Sequence, residues 1–127
     1  MSYTIMNLRE VEDMAPRFGL DSIQEARFAR GALEAEQTGI AFHVMKPNQR
    51  GGAHRHDEAE EICVVMGGSG NINLDGEIIA LKPFDAIRLG PNVARAFEAG
   101  PDGLELLVFG PHHQGDGELL GMDIWNT

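Results

Sequence analysis

Glycine and proline are concentrated in the last two-thirds of this chain, and this placement constrains the fold more than any other sequence feature. The chain has 127 residues, of which 16 are glycine and 6 are proline; 13 of the glycines and five of the prolines lie at or after Pro47. Helices tolerate such a density poorly, whereas the turns between short strands require it. From Gly39 onward the sequence therefore predicts an all-β fold.

Short apolar segments alternate with turn signals through this region. Asp75-Gly76 is a strong two-residue hairpin signal, and the clusters Gly67–Gly70 and Gly100–Gly103 predict breaks between strands. Strands that recur about every 8 to 12 residues with turns between them indicate a sandwich or a barrel. The predicted strands are Gly39–Lys46, Glu61–Met66, Asn71–Leu74, Glu77–Leu81, Ala86–Leu89, Val93–Glu98 and Leu104–Phe109.

The chain divides into an N-terminal segment (1–38), a β-barrel region (39–110) and a C-terminal tail (111–127), and its length indicates one domain overall. The tail has no strand period, so we expect it to be irregular. We also expect an apolar side chain of the tail to dock on the barrel, the candidates being Leu119, Leu120 and Trp125.

The N-terminal segment leaves two structures open. Asn7–Met14 predicts a short helix with Asn7 as its N-cap. Asp21–Glu36 is rich in Ala, Glu and Arg, which favours a helix by propensity, but a strand through Arg27–Arg30 fits the same residues.

Charge and cysteine content exclude several classes of function. The chain has 20 acidic residues against 10 Lys and Arg, a net charge of −10, which argues against nucleic-acid and anionic-membrane partners. A lone cysteine, Cys63, excludes an internal disulfide and fits a reducing compartment. The chain has no apolar run of about 20 residues, and its first residues lack the pattern of a secretory signal. We therefore predict a cytoplasmic protein.

His54, His56 and Glu61 form the most informative cluster. On an extended segment, a spacing of two residues puts both imidazoles on one face. Glu61 begins an apolar strand, and it faces the imidazoles if the intervening turn brings that strand back beside the first. Two neutral imidazoles and one carboxylate suit Fe(II), Mn, Ni or Zn and leave coordination positions open. The alternative is a solvated acidic loop, which is the usual setting of an isolated His-x-His.

In this context the segment resembles the first motif of the cupin family: Gly, five residues, His-x-His, three or four residues, Glu, six residues, Gly. His54, His56, Glu61 and Gly68 match in register, and Asn48 replaces the first glycine. Asn is the residue other than Gly that best tolerates a left-handed backbone. The resemblance covers about residues 39–110. It implies a cupin-like barrel (a double-stranded β-helix or jelly roll) of two packed antiparallel sheets.

The second cupin motif matches poorly. Its positions of Gly, five residues, Pro-x-Gly, two residues, His, three residues and Asn fall on Phe84, Gly90, Asn92, Arg95 and Ala99. In the family, the histidine that Arg95 replaces is the usual fourth metal ligand. A guanidinium stays protonated and cannot ligate a metal, and its charge repels a divalent ion.

Three outcomes follow from Arg95. A metal binds to His54, His56 and Glu61 alone, with Arg95 turned aside. In the second outcome His43 supplies the fourth ligand. In the third the metal is lost, and Arg95 either pairs with Glu61 or binds an anionic ligand.

Other side chains are weaker candidates for a ligand pocket. Cys63 reads as a small buried apolar residue, Phe97 as core or pocket wall, and His43 as pocket lining if it is not a metal ligand. His112-His113 lies in a Gly- and Pro-rich tail, where adjacent histidines are mostly solvated. The sequence identifies no catalytic residue.

Two functions are consistent with these residues. The first is a metal-binding cupin that acts on a small molecule, as an oxygenase or isomerase would; the acidic surface slightly favours a neutral or cationic substrate. The alternative is a non-enzymatic, metal-free cupin in which Arg95 anchors a small anionic ligand. A third reading is a structural homodimer without a ligand. The resemblance also implies a homodimer, formed through the N-terminal residues Tyr3-Thr4-Ile5.

Overall fold

Eight antiparallel strands form a jelly-roll barrel in the computed structural model, which describes residues 2–111, 117–120 and 124–126. The predicted all-β barrel is thus confirmed. The strands are β1 (Gln24–Phe28), β2 (Gly39–Met45), β3 (His54–His56), β4 (Glu61–Leu74), β5 (Glu77–Leu81), β6 (Ala86–Leu89), β7 (Arg95–Gly110) and β8 (Gly117–Leu119).

Two long strands, β4 and β7, run through both sheets of the barrel. The first sheet has the order β1-β2-β7-β4-β6, using the start of β4 and the end of β7. The second has the order β5-β4-β7-β3-β8, using the end of β4 and the start of β7. Each end of the β4–β7 ribbon therefore belongs to a different sheet.

The predicted breaks at the two glycine clusters are wrong, because both clusters lie within these continuous strands. The β4–β7 register shifts between Val65 and Gly67 and again between Gly68 and Gly70, which marks irregular, bulged pairing. A Cβ on Gly68 would lie 2.0 Å from the Gly103 carbonyl oxygen. Glycine here permits the close approach of two bent backbones and does not end the strands.

The core fills the barrel interior, and buried and less buried side chains alternate at the start of β4. On β4, Cys63 and Val65 are fully buried, while their neighbour Ile62 is 43% exposed. Side chains of β2 and β7 that are paired in register point inward with them. The main buried cluster consists of Met45, Cys63, Val65, Ile72, Leu81, Leu89, Ala99, Leu104 and Leu106.

The N-terminal segment adds a strand to the barrel. Of the two structures that the sequence left open, the strand is the one formed: β1 pairs with β2 along its whole length and buries Ala26. The predicted helix at Asn7 is a single 3₁₀ turn, Leu8–Glu10, followed by a second at Ala15–Phe18. The Asn7 side chain caps the first by accepting a hydrogen bond from the Arg9 amide at 2.9 Å.

The tail returns to the barrel beside β3. The prediction of a wholly irregular tail is wrong, since the backbone of β8 pairs with the free edge of β3. Leu120 and Trp125 pack against a small cluster of buried alanines on the second sheet, and Ile124–Asn126 is a 3₁₀ turn. His112-His113 lies outside the described residues. Within the described part of the chain, no helix is long and apolar enough to cross a membrane.

Candidate metal centre and adjoining cleft

The three predicted metal ligands converge, although the strands that carry them are not paired with each other. His54 and His56 lie on β3, and Glu61 is the first residue of β4. The turn after His56 does not bring β4 back beside β3, which was the condition set in the sequence analysis: in the described residues β3 pairs with the start of β7, and the start of β4 pairs with the end of β7. The bend of β7 brings the two sides of the site together.

The spacing of the three donors suits a single ion. His56 Nε2 lies 3.4 Å from Glu61 Oε1, and one donor atom from each of His54, His56 and Glu61 lies within 4.8 Å of the others. Two donors that are each about 2.1 Å from one metal ion, at a near-tetrahedral angle, are about 3.4 Å apart. The set of two imidazoles and a carboxylate therefore fits a divalent transition metal.

His54 is held in the neutral form that a metal ligand requires. Burial lowers its pKa to about 4, and the positive charges of Arg95, His56 and His43 act in the same direction, against a hydrogen bond involving the Gly52 backbone. At neutral pH the imidazole consequently carries a lone pair on one ring nitrogen.

Arg95 points into the site and not away from it. Its side chain is completely buried, and its Nη1 donates to Glu61 Oε1 at 3.3 Å while its Nη2 donates to the Gly90 carbonyl oxygen at 3.1 Å. Glu61 Oε1 thus lies within reach of both His56 and Arg95. This arrangement corresponds to the Arg95–Glu61 pair among the outcomes that the sequence left open, and it coexists with the grouped metal donors.

The second motif keeps its backbone although its residues differ. Phe84 and Asn92, at the motif's two glycine positions, have φ angles of 72° and 68°, and Asn48 in the first motif has a φ of 62°. Only Gly adopts this left-handed region without strain, and Asn adopts it more readily than Phe. The turns around the site therefore have the geometry that the motifs require.

A cleft of about 460 Å³ opens beside the metal donors. His43 lies in its wall, with Nδ1 3.2 Å from Gln24 Nε2, and burial lowers the pKa of His43 to about 4. His43 is not one of the three grouped donors. The lining includes His56 and Glu61 but neither His54 nor Arg95; its other described members are Phe28, Arg30, Gly31, Gly39, Ile40, Ala41, His43, Ala59, Val108, Gly110 and Pro111.

Cys63 and Phe97 pack in the barrel core. Burial, aided by the negative charge of Glu61, raises the pKa of the Cys63 thiol to about 12, and the nearby Arg95 opposes this only in part. The thiol is therefore protonated and unreactive. Phe97 is half-buried against the main core cluster.

Sequence reasoning missed Phe28 and Arg30, which line the cleft, and Gln24, whose side chain contacts His43. The available signal was the possible strand through Arg27–Arg30, which includes the two lining residues. The sequence alone could not distinguish this strand from a helix, because the strand is defined by its pairing with β2.

Comparisons with known proteins agree with this architecture. A cupin domain profile matches residues 41–110, and no curated protein matches the sequence. The chain is similar to a cupin protein from Bacteroides fragilis (19% identity, covering 100% of this chain and 96% of that one, TM-score 0.71). It is also similar to the polyketide cyclase RemF from Streptomyces resistomycificus, with 19% identity, coverage of 94% of this chain and 87% of that one, and a TM-score of 0.78. A third similar structure is a sugar phosphate isomerase from Silicibacter pomeroyi, with 17% identity, coverage of 94% of this chain and 83% of that one, and a TM-score of 0.74.

At these identities the solved structures show the fold alone. The cupin profile, however, spans β2 to β7, including the three metal donors and the motif turns. Since the profile matches more than half of the chain, this protein belongs to the cupin family.

Proposed function

We propose that this cupin binds a divalent transition metal (Fe, Mn, Ni or Zn) through His54, His56 and Glu61 and acts with it on a small molecule in the cleft. The observation that carries the proposal is the grouping of the three donors beside that cleft. A bound metal would supply Lewis acidity or redox chemistry at its open positions. The chain itself contributes two imidazoles and a carboxylate, and His56 and Glu61 line the space where a substrate would bind.

Arg95 sets the charge of this site. In place of the neutral imidazole that the cupin motif has there, it adds one positive charge beside the carboxylate. Coulomb repulsion should therefore make metal binding weaker than in a site with a fourth imidazole, and it should attract electron-rich substrate groups. Oxygenase and isomerase chemistry are both consistent with such a site.

The test is elemental analysis of protein purified without an affinity tag, before and after treatment with a chelator. We expect stoichiometric metal in the wild type and little in His54→Ala or Glu61→Gln. His43→Gln is the matched control, because it removes a cleft histidine outside the donor group; metal loss in this variant would make His43 the fourth ligand. Metal-free protein that gains no thermal stability on titration with these ions would refute the proposal, since a ligand of the native state must stabilise it.

A metal-free cupin that binds a small ligand is the second candidate, and the Arg95–Glu61 pair favours it. The guanidinium already offsets the carboxylate charge that a metal would otherwise offset. Arg95→His separates the candidates. If the wild type binds metal, this variant should bind it more tightly. If only the variant binds metal, the wild-type site is metal-free. A ligand whose affinity is unchanged in Arg95→Leu is not anchored by Arg95.

We further propose that the protein is a homodimer assembled through its first residues. Tyr3 and Ile5 are 85% and 87% exposed, which is unusual for large apolar side chains and leaves them available to a second copy. Light scattering on Tyr3→Ser/Ile5→Ser should show a smaller particle than the wild type. An unchanged mass, whether monomeric or dimeric, would contradict this interface.

A further inference from the structure

Arg30 lies in the cleft wall just after β1. Its stem rests over Gly39, since a Cβ at that glycine would lie 3.7 Å from the Arg30 Cδ. Nη2 donates to the Glu36 carbonyl oxygen at 3.2 Å. The guanidinium is therefore held at the cleft and is not a freely moving surface group.

The Nε atom of Arg30 is buried and has no hydrogen-bond partner among the described residues. No carboxylate of the described residues forms an ion pair with Arg30. A guanidinium is permanently charged, and a buried N–H without an acceptor is destabilising. An anion bound in the cleft would supply a counter-charge to this guanidinium.

The other residues that line the cleft indicate what the rest of such a ligand should look like. Phe28, Ile40 and Val108 give an apolar surface, and His56 and Glu61 line the same cleft. A cleft of this volume accommodates a small metabolite. Because the chain as a whole has a net charge of −10, an anionic ligand needs a local cation to bind here.

We propose that the cleft binds a small carboxylic acid whose carboxylate accepts hydrogen bonds from the Arg30 guanidinium. Its apolar body contacts Phe28 and Val108, and its other end reaches the metal donors. The part of this proposal that concerns the end of the ligand near the metal donors rests on the proposed function. The contact between the carboxylate and Arg30 does not depend on it. The Glu61 carboxylate lines the same cleft and the chain has a net charge of −10, so a singly charged carboxylate is repelled less than a doubly charged phosphate.

The direct test follows the Arg30 Nε–H signal by ¹⁵N NMR, assigned by its loss in Arg30→Lys. The probes are phenylacetate, its neutral analogue phenylacetamide, and phenyl phosphate, each titrated into the full chain with metal and after chelation. We expect a saturable shift with phenylacetate, in both states, and none with the amide. Equal responses to acid and amide, or no response to either, would overturn the inference. Tighter binding of phenyl phosphate would overturn the choice of carboxylate.

Variants add a test that does not depend on that signal. Losing a charged hydrogen bond should weaken phenylacetate binding about tenfold or more in Arg30→Leu. Arg17→Leu, which removes an exposed arginine elsewhere, should leave it unchanged. Both variants should keep the wild-type metal content. Carboxylate binding by a protein that takes up none of the added metals would refute the proposed function alone. Stoichiometric metal without carboxylate selectivity would refute this inference alone.

Discussion

Replacing Arg95 by methionine should destabilise the metal-free protein by about 3 kcal/mol, because the change leaves the Glu61 carboxylate without its cation. Removing one partner of a buried ion pair typically costs about 3 to 5 kcal/mol. Arg95 is completely buried, but the Glu61 side chain is 18% exposed, so we expect the lower end of that range. For a domain of this size the loss corresponds to a melting temperature lower by roughly 10 °C.

Urea unfolding of a double-mutant cycle measures the effect. Glu61→Gln alone should also destabilise the protein, since it removes the carboxylate that faces the buried Arg95 guanidinium, whereas the double variant should recover most of the loss. The neighbouring exposed pair Arg88–Glu60, at 3.1 Å, is a matched control, and Arg88→Met should change the free energy of unfolding by less than about 1 kcal/mol.

The same variant tests how the metal and the guanidinium compete. If both offset the charge of Glu61, added metal should stabilise Arg95→Met more than it stabilises the wild type. The reasoning would be refuted if Arg95→Met were no more destabilising than Arg88→Met, because Glu61 would then not depend on a buried partner.

Three further predictions concern stability. Lowering the pH from 6.5 to 4 should destabilise the metal-free protein, because burial lowers the pKa values of His43 and His54 to about 4 and the unfolded chain binds protons first. Urea unfolding should show this loss, which is smaller in His43→Gln; a flat profile would contradict it. Phe84→Gly should stabilise by about 1 kcal/mol in the same assay, since Phe84 has a φ of 72° and is 82% exposed; a loss would mean that the ring makes an important contact. Trp125→Ala should destabilise by about 2 kcal/mol and speed amide exchange in β3, because the indole packs on the second sheet and donates to the Gly51 carbonyl; unchanged exchange would refute this.

Much of the barrel could be predicted from short-range patterns. Recurring turn signals predicted most of the strands, and Asp75-Gly76 predicted the β4–β5 hairpin. The bends at Gly68 and Gly70 could not be predicted, because their cause is the approach of Gly103 and Glu98, which lie about thirty residues away along the chain. A glycine cluster looks the same in sequence whether it ends a strand or bends one.

The candidate site likewise has features that the sequence predicted and features that it did not. The His-x-His spacing and the resemblance to the cupin motif predicted that His54, His56 and Glu61 lie together, but not the strand pairing that brings them together. The direction of Arg95 depends on burial and on the Gly90 carbonyl, which no spacing reveals. Arg30 was missed because the strand before it forms only by pairing with β2. The cytoplasmic location stays a prediction.

The bent β4–β7 ribbon has a consequence for how this site can change. Arg95 and the β3 histidines lie at one end of the ribbon and Glu61 at the other, so the curvature between them sets the bite of the donor set. A substitution at Gly68 or Gly70 would push the paired backbones apart, because an added Cβ would lie 2.0 Å and 2.1 Å from the carbonyl oxygens of Gly103 and Glu98. The spacing of the donor set therefore depends on two glycines that belong to neither the donors nor the cleft wall.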